Sequence, residues 1–152
     1  MPAFTTKNKT AAAWLAFLGG QFGLHRFYLF GARDLWAWLH PAVAALGWWG
    51  VQRVRWYGQD DLLAWLLVPL LGFMLAATAL TAIYYGLMAP EKWNAQYNPG
   101  FPEAPAGYTN WLTMGAVVLA LLFGAIALMS SLAFSFQRYF EYQVEEARKI
   151  SH

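Results

Sequence analysis

Three long stretches of the sequence contain no aspartate, glutamate, lysine or arginine: Leu35–Val51, Leu62–Met88 and Trp111–Phe136. A helix needs about 20 apolar residues to cross the hydrocarbon core of a bilayer, and charged side chains are rare within it. A fourth apolar stretch, Thr10–Phe30, is interrupted only by Gln21, His25 and Arg26. Thr10–Phe30 and Leu35–Val51 are short for independent spans, and together they predict a tight helical hairpin. The chain is therefore predicted to be an all-α, polytopic integral membrane protein with four transmembrane helices.

The composition agrees with a membrane protein and excludes several kinds of chemistry. Only 12% of residues are charged, whereas soluble domains carry about 25%. The absence of cysteine excludes disulfides and thiolate sites. The net charge of +2 is too small to indicate a nucleic-acid partner. The eight carboxylates all lie in predicted loops or in the tail, so no buried pair is available for acid–base catalysis, and we expect no enzyme.

The basic residues predict an orientation for a four-span chain. One side would carry seven of the ten basic residues, namely Lys7, Lys9, Arg53, Arg55, Arg138, Arg148 and Lys149. The other side would carry the remaining three, Arg26, Arg33 and Lys92. Since cytoplasmic loops are enriched in Lys and Arg, this division predicts a multi-pass protein of the cell's inner or plasma membrane with both termini in the cytoplasm.

Rows of small residues predict where the helices pack. They recur at a spacing of four, as Gly19 and Gly23, Gly72 and Ala76, Ala82 and Gly86, and Ala116, Ala120 and Gly124. Small residues let two helix backbones approach closely in lipid, where no hydrophobic drive brings helices together. Packing within the chain is favoured over a dimerisation face.

The tandem His25-Arg26 is the most unusual feature of the first apolar stretch. We expect Gly31 to end one helix and Asp34 to cap the next, which places Arg26 near the headgroup boundary. There a guanidinium needs an anionic partner. The partner is predicted to be either a lipid phosphate, bound with help from His25, Tyr28 and Arg33, or Asp34, in which case the pair staples the hairpin.

The same residues resemble a known family. Gly20-x-x-Gly23-x-His25-Arg26-Phe27-Tyr28 is similar to the signature of the TM2 domain, a two-helix membrane hairpin, and the resemblance covers residues 7–53. Phe30 stands where that family usually has glycine. The resemblance implies a TM2-like hairpin over residues 1–53. It implies no biochemical activity, because the family has none that is agreed.

Residues 54–152 lie outside this resemblance and hold the two longer spans. The loop 89–110 contains four prolines and several aromatic residues, which favours an ordered cap on the outer interface. The last helix is predicted to run unbroken from Trp111 to Lys149. Its cytoplasmic part would pack on the loop 53–61, on a second copy or on a partner. The alternative is a bend near Gln137 that lays the tail on the membrane.

Two functional hypotheses follow. The first is a non-enzymatic interaction or accessory protein that contacts membrane lipids and assembles with itself or with a larger membrane complex. The second is a cofactor-binding or small-molecule transport protein. It depends on His25 and His40, which a helical hairpin brings to a similar depth, where they would ligate haem or a metal. The first hypothesis requires no cofactor and no metal.

Overall fold

The computed structural model describes residues 5–151. The predicted all-α class is confirmed: the chain is 82% helical, and no strand occurs in the described residues. Six α-helices are present over this range, α1 Lys9–Gly19, α2 Leu24–Phe30, α3 Leu35–Tyr57, α4 Leu62–Leu87, α5 Pro90–Tyr97 and α6 Trp111–Ile150. Two of them, α4 and α6, are long and apolar enough to cross a membrane.

The first apolar stretch is broken in its middle. After α1 the chain makes a 3₁₀ turn at Gly20–Phe22, and Gly23 adopts a left-handed conformation with φ of 72°. The backbone of Gly20 lies against the side chain of Thr78, and the backbone of Gly23 lies against the carbonyl oxygen of Ala37. A Cβ atom at either glycine would overlap these groups. The chain therefore reverses direction at the break, and α2 returns toward the start of α1.

Contacts at the start of α1 show where the first stretch begins and ends. The Lys9 ammonium donates to the Met88 carbonyl, 2.8 Å away, and the Lys7 ammonium donates to the Tyr28 carbonyl at 2.8 Å. Residues 7–9 and the end of α2 thus lie at the end of the bundle formed by residues 88–110, called here the loop end. With 11 residues, α1 is only about 16 Å long at 1.5 Å per residue.

Four spans are therefore not confirmed: Thr10–Phe30 is not one continuous helix, and Lys7 and Lys9 lie at the end of the bundle opposite the C-terminal tail and not beside it. The physical reason is the helix break, which turns the stretch back on itself. The opposite end of the bundle, called here the tail end, holds the α3–α4 turn and the C-terminal part of α6. The ten basic residues then divide five and five between the ends: Lys7, Lys9, Arg26, Arg33 and Lys92, against Arg53, Arg55, Arg138, Arg148 and Lys149.

Helices α3 and α6 pack antiparallel on α4. A Cβ atom on Gly47 would lie 2.7 Å from the Leu71 Cβ, and one on Gly50 would lie 2.6 Å from the Leu67 Cβ. The two glycines let α3 and α4 approach closely. This pair was not among the small-residue rows singled out in the sequence.

The predicted small-residue rows lie between α4 and α6. Gly72 faces Ser131, and a Cβ atom on Gly124 would lie 2.6 Å from the Ala79 Cβ. Ala116 and Ala120 are fully buried, whereas Ala76 is only partly covered, beside an apolar groove on the α4–α6 pair. The row predicted in the first stretch is not formed, because the helix breaks between Gly19 and Gly23, and Gly19 contacts the Leu24 side chain across the break. The rows on α4 and α6 pack two helices of one chain against each other.

The prediction of an unbroken last helix is confirmed, since α6 is one α-helix of 40 residues. Arg138 lies 3.3 Å from Asp60 in the α3–α4 turn, so α6 continues about 18 Å beyond that turn at 1.5 Å per residue. Packing of the tail's apolar stripe on the loop 53–61 is not observed. Tyr139, Phe140 and Val144 are exposed, Phe140 by 62%.

Candidate functional site

The loop end is closed by a cap built around Trp93 in α5. The Trp93 side chain is 0% exposed. Its Nε1 donates to the Lys7 carbonyl at 2.8 Å, and its ring lies 4.3 Å from that of Tyr97 and 5.6 Å from that of Tyr85 between centroids. A buried indole N–H with a partner carries no desolvation penalty. The segment 89–110 therefore forms an ordered cap that holds the N-terminal segment in place.

Two asparagines complete the cap. Asn94 donates from Nδ2 to the carbonyls of Pro102 and Ala104, 3.0 Å away in each case. Asn98 donates from its own Nδ2 to the Asn94 Oδ1 at 2.9 Å. The Pro-rich segment is thus fixed by side chains of α5, because its prolines cannot donate backbone hydrogen bonds. No single sequence motif predicted this network.

His25 lies beneath the cap and is almost completely buried. Its ring centroid is 5.2 Å from that of His40 and 6.0 Å from that of Tyr85. Among the described residues the His25 Nδ1 has no hydrogen-bond partner. The His40 Nδ1 lies 2.7 Å from the Trp36 carbonyl and must donate to it, because a carbonyl only accepts. The sequence prediction that His25 and His40 reach a similar depth agrees with this contact.

The two imidazole rings are not arranged to bind a cofactor between them. The rings meet edge to face at an interplanar angle of 76°, which leaves no room for a porphyrin between them. The described residues contain no group of three or more metal-ligating side chains, and resident metal sites use three or four protein ligands. The two rings pack against each other beneath the cap.

Arg26 pairs with Asp34 across the turn between α2 and α3. The Arg26 Nε donates to the Asp34 Oδ2 at 2.7 Å, while the Asp34 Oδ1 accepts from the Trp36 backbone N–H at 3.1 Å. Gly31 ends α2 with φ of 82°, and Asp34 caps α3, as the sequence predicted. Because an anion at a helix N-terminus is favourable, Asp34 stabilises the start of α3 while its ion pair with Arg26 ties α2 to that turn.

The other members of the predicted lipid site do not converge on Arg26. The Tyr28 hydroxyl accepts from the Asn8 backbone N–H at 2.8 Å, and the Lys7 ammonium lies 5.1 Å from the centre of the Tyr28 ring. Arg33 is exposed. Of the two predicted partners for Arg26, the one in contact is the carboxylate of Asp34.

The same ion pair recurs at the opposite end of the bundle. Arg53 donates from Nε and Nη2 to the Asp61 carboxylate at 2.7 and 2.8 Å. Asp61 caps α4, and Gly58 ends α3 with φ of 85°. Both turns therefore follow the pattern Arg-x4-Gly-x2-Asp, and we call each of them an Arg–Asp staple. The second staple was not predicted, although the repeated spacing is present in the sequence.

The two staples are alike in detail. Each arginine also lies over the aromatic ring four residues later, with Arg26 5.0 Å from the Phe30 centroid and Arg53 4.9 Å from the Tyr57 centroid. An arginine over an aromatic face gains a further electrostatic attraction. The aromatic ring, the glycine and the aspartate together hold each arginine in one position.

The staples predict an acid dependence of stability. The hydrogen bond from Arg26 lowers the pKa of Asp34, and the hydrogen bond from Arg53 lowers the pKa of Asp61. A carboxylate with a lowered pKa stabilises the folded protein above its unfolded pKa, here 3.8, and this stabilisation is lost as the pH falls through the folded pKa. We expect the Tm in detergent to change little between pH 7 and 5 and to fall steeply below about pH 4.

The double variant Asp34→Asn, Asp61→Asn tests this dependence. Asparagine keeps the helix caps but not the charge, so the Tm at pH 7 should drop and the further loss on acidification should be smaller than in the wild type. Asp60→Asn is the control, because Asp60 precedes Asp61 and is 96% exposed, so that its ion pair with Arg138 contributes little to stability. An equal acid-induced loss of Tm in the double variant and the wild type would contradict the prediction.

Comparison with family models, with curated proteins and with solved structures gave no match to this chain.

Proposed function

We propose that the chain is a non-enzymatic membrane protein that assembles with other membrane-embedded chains. The observation that carries the proposal is the exposed apolar stripe on the part of α6 that extends past the α3–α4 turn. Phe140 and Val144 are 62% and 51% exposed there, in a segment that also carries six charged residues. A contiguous apolar stripe on a water-facing helix marks an interaction surface.

The lipid-facing surfaces support the same proposal. Helices α4 and α6 bury only 28% and 17% of their most apolar windows inside the chain. Helices at the centre of a complete membrane bundle bury far more of their surface. Both helices therefore have free sides for lipid or for further protein. Within this proposal, the His25-Arg26 region is a structural element that closes the loop end, and the lipid contact is made by the apolar faces.

The proposal includes a membrane location and a relative placement of the chain's two ends. Three helices, α3, α4 and α6, cross the bilayer, and α1 and α2 form a re-entrant pair, so residues 5–9 and the tail lie on opposite sides. The inner or plasma membrane remains the proposed location. Because the basic residues divide equally between the two ends, the positive-inside rule does not say which end is cytoplasmic.

The resemblance of residues 7–53 to the TM2 domain enters as part of the proposal. The signature residues have structural roles in this chain: Gly20 and Gly23 form the helix break, His25 packs under the cap, and Arg26 forms a staple. These roles would suit a structural motif of a membrane hairpin, with specific partners recognised elsewhere on the chain.

Assembly is tested in native membranes with two matched variants. Phe140→Lys places a charge on the exposed stripe, while Tyr142→Lys places the same charge about 200° around the helix, at 3.6 residues per turn. We expect the wild type and Tyr142→Lys to migrate in native electrophoresis as a species larger than the monomer. Phe140→Lys should reduce that species at least about tenfold, equivalent to about 1.4 kcal/mol. A wild-type protein that migrates as a monomer when it is extracted from its native membranes would overturn the proposal.

The alternative hypothesis, that the chain binds a cofactor, can be tested simply. It depends on His25 and His40, whose geometry favours neither haem nor a metal with several protein ligands. An absorption spectrum and metal analysis of the protein purified from its own membranes separate the two hypotheses. A Soret band, or a stoichiometric metal lost in His25→Ala, would replace the assembly proposal with the cofactor one.

A further inference from the structure

Helix α6 has apolar positions on two opposite sides. The inner side packs on α4 through positions that alternate in steps of three and four, among them Val117, Ala120, Gly124 and Ser131. The opposite side follows the same alternation and is exposed from Met129 onward. Beyond the membrane it continues as the outer stripe, defined here as Phe136, Phe140, Gln143, Ala147 and Ile150, with the exposed Val144 at its edge.

Such an alternation is the sequence pattern of a coiled coil. Apolar residues spaced three and four apart form a continuous line on a helix, and two such lines pack as knobs into holes. Within lipid an apolar line does not indicate a protein partner, because every lipid-facing side of a helix is apolar. In the tail it does indicate one, since the residues between the stripe positions include the charged Glu141, Glu145, Arg148 and Lys149. Helix α6 thus has a second packing face that no part of the described chain covers.

We propose that a second copy of this chain covers the outer stripe, with the two α6 helices parallel and related by a two-fold axis along the membrane normal. This inference rests on the proposed assembly function and names its partner. The matching helix must run through the membrane and extend about 18 Å beyond it in the same direction. Among the described helices only α6 has such an extension, and two copies inserted in one membrane present it at the same depth.

The polar groups of the tail fit a self-complementary pair. Gln143 occupies a stripe position, and its amide both donates and accepts, so it can hydrogen-bond to the same residue of the second copy. A polar residue at one core position fixes the register of a coiled coil. A lysine or a glutamate at this position would instead repel its own copy.

The charges of the tail also suit a partner identical to itself. Residues 138–149 hold three acidic and three basic side chains, Glu141, Glu145, Glu146, Arg138, Arg148 and Lys149. Four of them already form ion pairs within the helix. Arg138 pairs with Glu141, and the Lys149 ammonium lies 3.0 Å from the Glu146 carboxylate. The tail therefore has no net charge that would repel a second copy and no block of one sign that would select an oppositely charged partner.

Because the chain contains no cysteine, single cysteines test the interface directly. Gln143→Cys and Ala147→Cys lie on the stripe, and Glu145→Cys is the control, about 200° from position 143 at 3.6 residues per turn. Each variant is purified, reconstituted at low density in phosphatidylcholine vesicles and oxidised with copper phenanthroline. We expect disulfide-linked dimers at positions 143 and 147 to form at least about tenfold faster than at position 145. Equal rates at all three positions, or no dimer at 143 and 147, would overturn the inference.

A second measurement keeps the test independent of cysteine chemistry. Native mass spectrometry of the wild type should show a dimer, which Gln143→Glu should weaken at least about tenfold by placing like charges face to face. Gln143→Asn should retain the dimer, and circular dichroism should show equal helix content in all variants. A dimer unaffected by Gln143→Glu would place the interface elsewhere and overturn the inference.

These outcomes separate the inference from the function on which it rests. If Phe140→Lys disrupts a larger species in native membranes while the purified protein neither cross-links nor dimerises, the second copy is wrong and the assembly function stands. If the wild type is monomeric in native membranes as well, both are overturned.

Discussion

Replacing Trp93 with alanine is expected to lower the free energy of unfolding by about 3–5 kcal/mol, the usual cost of removing a fully buried tryptophan. The side chain is 0% exposed and donates to the Lys7 carbonyl. Its loss would leave a cavity between α5 and α4 and would release the N-terminal segment from the cap. Unfolding in mixed detergent micelles measures the first effect, and amide hydrogen exchange over residues 5–9 measures the second.

Trp111→Ala is the matched control, since Trp111 begins α6 and is 80% exposed. A surface substitution of this kind should change stability by less than about 0.5 kcal/mol. If the two variants unfold at the same denaturant concentration, the cap is not held by Trp93, and the account of the loop end given above is wrong.

Gly23→Ala is the second change with a large expected effect, about 2–5 kcal/mol. Left-handed backbone costs a residue with a Cβ about 1–2 kcal/mol, and overpacking a tight contact adds about 1–3 kcal/mol. Both apply at Gly23, because its φ is 72° and a Cβ atom would overlap the Ala37 carbonyl oxygen. The re-entrant pair should loosen, which would show as faster proteolysis and hydrogen exchange between residues 19 and 30.

Two other glycines separate the causes. Gly31→Ala shares a positive φ but meets no atom within 4 Å, so it should show the conformational cost alone. Gly115→Ala lies in α6 with ordinary helical backbone and only a distant contact with Trp14, and it should stabilise the helix by about 0.5–1 kcal/mol. If Gly23→Ala behaves like Gly115→Ala, the first stretch is a continuous helix and the four-span prediction is restored.

Helix α6 and the α2–α3 turn are features that local sequence could predict. In residues 111–150 only Gly115 and Gly124 weaken a helix, so α6 forms as predicted. The turn is specified by Gly31 and Asp34, which act on neighbouring backbone groups. The second staple could also have been predicted, because Arg53, Gly58 and Asp61 repeat the spacing of Arg26, Gly31 and Asp34.

The site itself was predicted only in part. The contact of Arg26 with Asp34 and the approach of His25 to His40 are short-range results of one turn, and the sequence named both. The cap was predicted only as an ordered segment. Its core joins Lys7 to Trp93 and Asn98, which lie 86 and 91 residues away from it in the sequence, and no periodicity relates positions so distant along the chain.

The sequence by itself determined the all-α class, the apolar faces and the turn between α2 and α3, because each follows from side-chain polarity or from local backbone preference. Tertiary structure decided the path of the first stretch. Gly19, Gly20 and Gly23 are compatible with a packed membrane helix and equally with a break. The break forms because Thr78 and Ala37 occupy the space beside Gly20 and Gly23, while Met88 and Thr109 hold the Lys9 ammonium at the loop end. Those partners come from α3, α4 and the cap, so the direction of residues 9–30 depends on contacts that the local sequence does not contain.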